Sequence, residues 1–449
     1  MSYSAYKQFS PPRWPGTQPA PVGWEVRRLK FAVTCNDEAL SETTAPDYEM
    51  AYVDISSVDL VNGITAIETL PFEEAPSRAR RIVRDGDTII STVRTYLKAI
   101  AAIEEPPDNM IVSTGFAVVR PLEFIDSGFL GYALQGSGFI DAVVANSTGV
   151  SYPAINPTTL VCLPFGYPED KKEQQQIAGF LDWKTGQIDA LMGKKQVLLE
   201  KLKEKRIAVI TQAVTQGLNP AAPLRDSGIP WLGQVPQHWE VKRIKFIGRV
   251  GNGSTPSREN PLYWDDGYYP WLNSSVVNQE AVTMADQFVT ADALAECHLP
   301  IVQPPAVLIG ITGEGKTRGM ATTLLFEATI NQHLAYLKPQ PSEAVVGFVR
   351  RVFDMAYPYL RSESDGGGST KGAITCEQIT EMSIPVPPIA EQETIAAYLG
   401  AETQRIDRMV EKVESAIARL TEYRTALITA ATTGKIDVRN IQVPAPAQP

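Results

Sequence analysis

The stretch GITGEGKT, residues 310–317, fits the phosphate-loop pattern G-x-x-x-x-G-K-[ST], and Ala306, Val307, Leu308 and Ile309 run into it as a buried strand would. A phosphate loop must also open a helix at its lysine, because the first helical amides hold the phosphates. Here the lysine is followed by TRGMATTLLF, in which Gly319 and the pair Thr322–Thr323 start a helix poorly. No apolar strand ending in aspartate stands out as a magnesium partner. The segment therefore reads as strand–turn–strand, not as a nucleotide site. Asn260-Pro261-Leu262-Tyr263 approaches the Asn-Pro-Pro-Tyr motif of enzymes that methylate exocyclic amines of bases, but the second proline is missing. No glycine-rich strand–helix turn for a methyl donor precedes it. His238, His298 and His333 lack a metal-ligand neighbour at helical spacing. Cys35, Cys162, Cys297 and Cys376 form no C-x-x-C pair and read as buried free thiols. No Ser–His–Asp set, Cys–His set or two-carboxylate site has a supporting motif. The chain is expected to have no catalytic residue, no metal site and no cofactor of its own.

Composition narrows the class. A chain of 449 residues has room for two to four domains. Its 44% apolar and 20% charged content is that of an ordinary soluble protein. No apolar run reaches the ~18 residues a membrane span requires. The opening MSYSAYKQFSPPRWPG has no signal-peptide core, so the expected compartment is the cytoplasm. A net charge of −10 excludes a basic DNA-coating protein, but the charge is uneven. Residues 171–217 hold 9 basic and 5 acidic side chains, whereas residues 1–170 hold 12 and 21. Any nucleic-acid surface must be a local patch, completed by a partner.

The dominant feature is an internal duplication. WEVRRLKF at 24–31 returns as WEVKRIKF at 239–246, and FAVVRP at 116–121 returns as LAYLKP at 334–339. EQQQIAGFLDWKTGQID at 173–189 matches EQETIAAYLGAETQRID at 391–407, and KLKEKRIAVITQA at 201–213 matches RLTEYRTALITAA at 419–431. The offset is 215 residues at the first pair and 218 at the others, the size of a domain plus a long helix. The join, GLNPAAPLRDSGIP, reads as a linker. The expected segments are 1–170 and 228–388 as globular domains, 171–217 and 389–434 as long helices, 218–227 as linker and 435–449 as tail.

Within each copy, short β-rich pieces broken by Gly and Pro precede a helical stretch. Ile177, Leu181, Ile188, Leu191, Leu198, Leu202 and Val209 follow a 3–4 rhythm with gaps at lysines. Ile395, Leu399, Ile406, Met409, Val413, Leu420, Tyr423 and Leu427 repeat it. Such a seam predicts a coiled coil, and 44 residues make a rod of roughly 65 Å. Two equivalent rods related by a pseudo-twofold axis pair antiparallel. The expected class is α+β: two tandem globular domains, each followed by a long helix, the helices forming an antiparallel coiled coil.

This layout, with GIPWLGQVPQHWEVKRIKF, GNGSTPSRENPLYWDDGYYPWLNSS and IPVPPIAEQETIAAYL, resembles the DNA-specificity subunit of type I restriction–modification enzymes over nearly the whole chain. The first copy departs from it in LPFGYPEDKKEQQQI, which replaces the tighter IPVPPIAEQETI. The resemblance implies a non-catalytic subunit with two target-recognition domains. Each would read one half of a split site in double-stranded DNA, and the helices would set the spacer. It also implies two modification subunits that carry S-adenosylmethionine and methylate adenine, and restriction subunits that use ATP and magnesium.

Base readers need Arg, Lys, Asn, Gln, Ser or Thr on loops, and phosphate contacts need cations and amides. The expected DNA-binding residues of the first copy are Arg78, Arg80, Arg81, Arg94, Tyr96, Lys98, Ser147, Thr148, Ser151 and Tyr152. Those of the second are Ser254, Thr255, Arg258, Asn273, Lys316, Arg318, Ser369, Thr370 and Lys371. Trp264 and Trp271 are assigned to the core.

Overall fold

The computed structural model describes residues 3–12, 19–313, 315–365 and 372–444. The chain divides into two compact units, Met1–Gln196 with Glu414–Pro449, and Val197–Val413.

In the first unit, strand Trp24–Arg28 pairs antiparallel with Pro164–Pro168. Val33–Cys35, Phe116–Pro121, Thr88–Ser91 and Ile100–Ala102 lie in that order in a four-stranded sheet. A second sheet orders Glu68–Pro71, Glu49–Val53, Met110–Ser113 and Ala79–Ile82, with its two central strands parallel. Helices Ser127–Gln135 and Ser137–Ala145 add Phe129, Leu130, Leu134, Phe139 and Ile140 to the core.

The second unit uses the same plan. Glu240–Arg243 pairs with Ser383–Val386. Gly248–Asn252, Leu334–Pro339, Ala306–Gly310 and Ala321–Leu324 form one sheet, extended by Ala281–Val282. Tyr269–Leu272 runs parallel to Thr329–Ile330 in a smaller one. Ala306–Gly310 is buried at all five positions, which explains its unbroken apolar run. It pairs antiparallel with Ala321–Leu324, and Gly319 donates its N–H to the Gly310 carbonyl at 2.7 Å. GITGEGKT therefore closes a strand–turn–strand and opens no helix. Gly319 takes φ +87°, a conformation that suits glycine.

The two long helices span Lys171–Gln216 and Ile389–Thr432. Both begin after a proline-containing strand, and the glutamine of the EQ pair anchors each start. Gln174 and Gln392 are completely buried. Gln174 Nε2 donates to the carbonyls of Pro168 (2.9 Å) and Phe124 (3.2 Å), and its Oε1 accepts from the Asp126 amide (2.8 Å). Gln392 does the same with Pro387 (2.8 Å), Glu343 (3.1 Å) and the Val345 amide (2.8 Å). One side chain thus satisfies three backbone groups and fixes the helix start against the preceding strand and the entry to an earlier helix.

Within each unit the two long helices run antiparallel. In the first, Arg424 Nε donates to Asp189 Oδ1 at 3.0 Å, and Thr421 Oγ1 lies 3.6 Å from Met192 Sδ. One residue number rises as the other falls. In the second, Arg206 Nε donates to Asp407 Oδ1 at 3.0 Å. These two ion pairs are the same pair, shifted by the repeat.

The seam departs from the expected one at Leu191, Leu198 and Met409, which are 44%, 44% and 39% exposed. Tyr423 is also exposed. A strict 4–3 rhythm runs instead through Leu181, Thr185, Ile188, Met192, Lys195, Leu199, Leu202, Arg206, Val209 and Ala213, all buried or half-buried. Its repeat runs through Leu399, Thr403, Ile406, Val410, Val413, Ile417, Leu420, Arg424, Leu427 and Ala431. Counting apolar letters skips the threonine and arginine positions and slips onto neighbouring leucines. Ile177 and Ile395, one turn before the run, are buried as expected.

Replacing Gln392 by leucine leaves two carbonyls and one amide without their partner. At ~1–3 kcal/mol for each unsatisfied group, relieved in part by water, the second unit loses about 3 kcal/mol. Urea unfolding checks this; a loss under about 0.5 kcal/mol contradicts the anchoring role.

Candidate nucleic-acid interface

In the first unit the chain leaves the Thr88–Ser91 strand and makes a single 3-10 turn, Thr95–Leu97. Arg94 and Lys98 bracket it, both left-handed at φ 50° and 55°. This backbone is costly for non-glycine residues and persists only where the surroundings enforce it. It turns Tyr96, Leu97 and Lys98 outward. The loop carrying Ser147–Tyr152 closes against the same turn. Thr148 and Ala154 exchange backbone hydrogen bonds of 2.8 and 2.9 Å, and Val93 bridges to Ala154. The Ser147 and Thr95 hydroxyls are hydrogen-bonded at 2.8 Å. The Arg94 guanidinium lies 4.9 Å from the centre of the exposed Tyr152 ring. Arg94, Tyr96, Lys98, Ser147, Thr148, Ser151 and Tyr152 are therefore brought together: cations, hydroxyls and two aromatic faces on one edge.

The arginines at 78–81 separate. Arg78 is exposed and its carbonyl accepts from Thr114, beside the Ser113–Gly115 turn that also binds Thr92. Its guanidinium holds Asp54 at 2.8 Å and reaches Tyr52 Oη at 3.3 Å. Burial pushes the Asp54 carboxyl up, but the Ser56 amide, the Tyr52 hydroxyl and Arg78 outweigh it and hold it below the usual range. Arg80 and Arg81 do not fit the expected surface. Arg80 packs over the Phe72 ring at 4.5 Å, and Arg81 is a half-buried member of the Ala79–Ile82 strand.

The second unit repeats the juxtaposition, with Thr312 bridging to Ala373 as Val93 does to Ala154. Lys316 is exposed, and its carbonyl accepts from Tyr357 Oη at 2.9 Å. Thr255 Oγ1 donates to Gln332 Oε1. Gln332 Nε2 lies 3.2 Å from His333 Nε2, and His333 Nδ1 lies 2.6 Å from Thr312 Oγ1. Ser254 donates its amide to Ile330 and accepts from the Trp271 indole at 3.2 Å. Arg258 lies 3.8 Å from the Trp264 ring centre and 4.8 Å from that of Trp271, and donates to Gln287 at 2.7 Å. Trp271 is buried and Trp264 half-buried. Asn273 caps the turn Ser274–Asn278 through the Ser275 amide. Arg318 departs from expectation, being only 3% exposed beneath Gly372. Ser369, Thr370 and Lys371 lie outside the described residues.

Gln332 and His333 were not expected. They stand just before LAYLKP, at the place of Thr114 and Gly115 before FAVVRP, and that alignment was the signal available. The Asn-Pro-Leu-Tyr stretch is structural: Asn260 caps Pro261–Tyr263, and Tyr263 Oη donates to Glu296 at 2.9 Å. Among the described residues no three His, Cys, Asp or Glu side chains are grouped to hold a metal. The four cysteines are half-buried free thiols. Among the described residues no helix is long and apolar enough to cross a membrane.

Residues 236–415 match the family described as the type I restriction modification DNA specificity domain. The second half of the chain thus carries a type I DNA-specificity domain, and the chain is similar to type I specificity subunits along most of its length. It is 24% identical over 434 residues to a putative type I restriction enzyme specificity subunit, MjaX, of Methanocaldococcus jannaschii, covering 93% of this chain and 95% of that one. It is 23% identical over 186 residues to the EcoR124I/EcoR124II specificity subunit of Escherichia coli, covering 41% and 45%. Among solved structures, a chain from work on complex assembly and conformational transition of the type I R-M system shares the fold. Its TM-score is 0.75 at 23% identity, over 94% of this chain and 100% of that one. The HsdS subunit of Thermoanaerobacter tengcongensis gives 0.52 at 23% identity, over 94% and 99%. The fold of the specificity subunit is thus present in both copies, including the half outside the matched domain.

If the Arg94–Tyr152 edge meets phosphates, the double variant Arg94→Ala, Lys98→Ala weakens DNA binding at least tenfold. It also lowers the slope of log affinity against log salt by about 1.8, or ~0.9 per lost contact. Unchanged affinity and slope in a salt titration contradict this placement.

Proposed function

We propose that this chain is the non-catalytic sequence-reading subunit of a type I restriction–modification complex. Each globular domain, 1–170 and 228–388, reads one half of a split site in double-stranded DNA. The long helices, 171–217 and 389–434, fix the unread spacer, with 218–227 as linker and 435–449 as tail. One observation carries the reading. The two units build the same frame but put different residues at the same edge, Ser113-Thr114-Gly115 in one and Asn331-Gln332-His333 in the other. One frame with two surfaces suits a site with two different halves.

Two modification subunits supply S-adenosylmethionine chemistry and methylate an adenine of the site, flipped from the duplex. Restriction subunits that use ATP and magnesium act on the same complex. Both work on cytoplasmic DNA. The partners' cations share the phosphate clamp, which a chain of net charge −10 needs.

Single-molecule methylome sequencing of the host with and without the gene tests this. A split adenine motif methylated only when the gene is present is the expected result. Identical methylomes, with the modification subunits expressed, contradict it.

A further inference from the structure

Gln332 stands exposed on the turn between Thr329–Ile330 and Leu334–Pro339, and its amide is not free to rotate. Its nitrogen can only donate, so His333 Nε2 accepts that bond. The imidazole then carries its proton on Nδ1, which donates to Thr312 Oγ1. Thr255 donates to Gln332 Oε1 from the other side. The direction of every bond in the row from Thr255 to Thr312 follows. Gln332 is left with one N–H and one lone pair unspent on the same amide.

That pair of groups matches the major-groove edge of adenine, which offers an N6 donor and an N7 acceptor. A glutamine held in one orientation before binding loses less rotamer entropy on contact. The surroundings suit a nucleic acid: Lys316 stands exposed on the segment after Thr312, and Thr255 follows Ser254, whose carbonyl holds Trp271 under Arg258. The first unit has Thr114 at the equivalent place, so the two edges present different hydrogen-bonding groups there.

We propose that Gln332 is a specificity-determining residue of the second unit, reading an adenine of its half-site. Thr255, His333 and Thr312 act as positioning residues. The proposal rests on the DNA-reading function above. Its test is the methylome of cells expressing the modification subunits with the wild-type chain, with Gln332→Ala, with Thr312→Val or with Thr312→Ser. Because Gln332 is exposed, its truncation leaves the core intact. Gln332→Ala is expected to relax one position of one half-site, leaving the other half and the spacer unchanged. In binding assays, discrimination at that position falls about 5–150-fold. Thr312→Val is expected to loosen the same position, and Thr312→Ser, which keeps the hydroxyl, to restore it. A Gln332→Ala motif identical to the wild-type motif overturns the assignment and leaves the DNA-reading function standing. A wild-type chain that adds no methylated motif overturns both.

Discussion

Two arginines on a helical seam constrain the rest of this protein. Arg424 meets Asp189 in the first unit and Arg206 meets Asp407 in the second, each at 3.0 Å and each half withdrawn from water. A charged side chain at a seam position tolerates few alternatives, because a slipped register would bury it without its partner. Such groups add little net stability, and their best-attested role is to select one register and orientation. Here the orientation they select is antiparallel. An antiparallel pair places the start of one helix beside the end of the other within each unit, so each unit holds parts of both.

The buried glutamines extend that constraint to the sheets. Gln174 and Gln392 bind the helix start to the preceding strand and to the chain entering an earlier helix of the same unit, with the same three hydrogen bonds. What the frame holds in place then differs. The first unit presents Arg94, Tyr96, Lys98 and Tyr152 on a strained turn. The second presents a hydrogen-bonded row from Thr255 through Gln332 and His333 to Thr312. The first edge offers cations and aromatic rings and the second a hydrogen-bonded amide row, different residues on one scaffold.

The architecture was legible because duplication repeats its own signal. WEVRRLKF and WEVKRIKF mark equivalent strands of the two units, Trp24–Arg28 and Glu240–Arg243, and the EQ pairs mark the helix starts. The strand–turn–strand of GITGEGKT followed from the poor helix formers behind its lysine. The seam was legible only in outline. Thr185, Arg206 and their repeats occupy seam positions that hydrophobic periodicity does not register, so a count of apolar letters lands on Leu191, Leu198 and Met409. Surface position is the least legible feature: Arg80, Arg81 and Arg318 are surface residues by type and half-buried or buried in the fold. Gln332 and His333 gain meaning only from hydrogen bonds to residues 21 to 77 positions away, which no local pattern contains.

The proposed function makes the paired helices a ruler between two reading edges. The most direct measurement is the methylated motif after one heptad is removed from each long helix at matching seam positions. Seven residues are about 10 Å of helix, or about three base pairs at ~3.4 Å per step. With the helices setting the spacer, both half-sites persist and the spacer shortens by about three base pairs. Methylation retained with an unchanged spacer would contradict it.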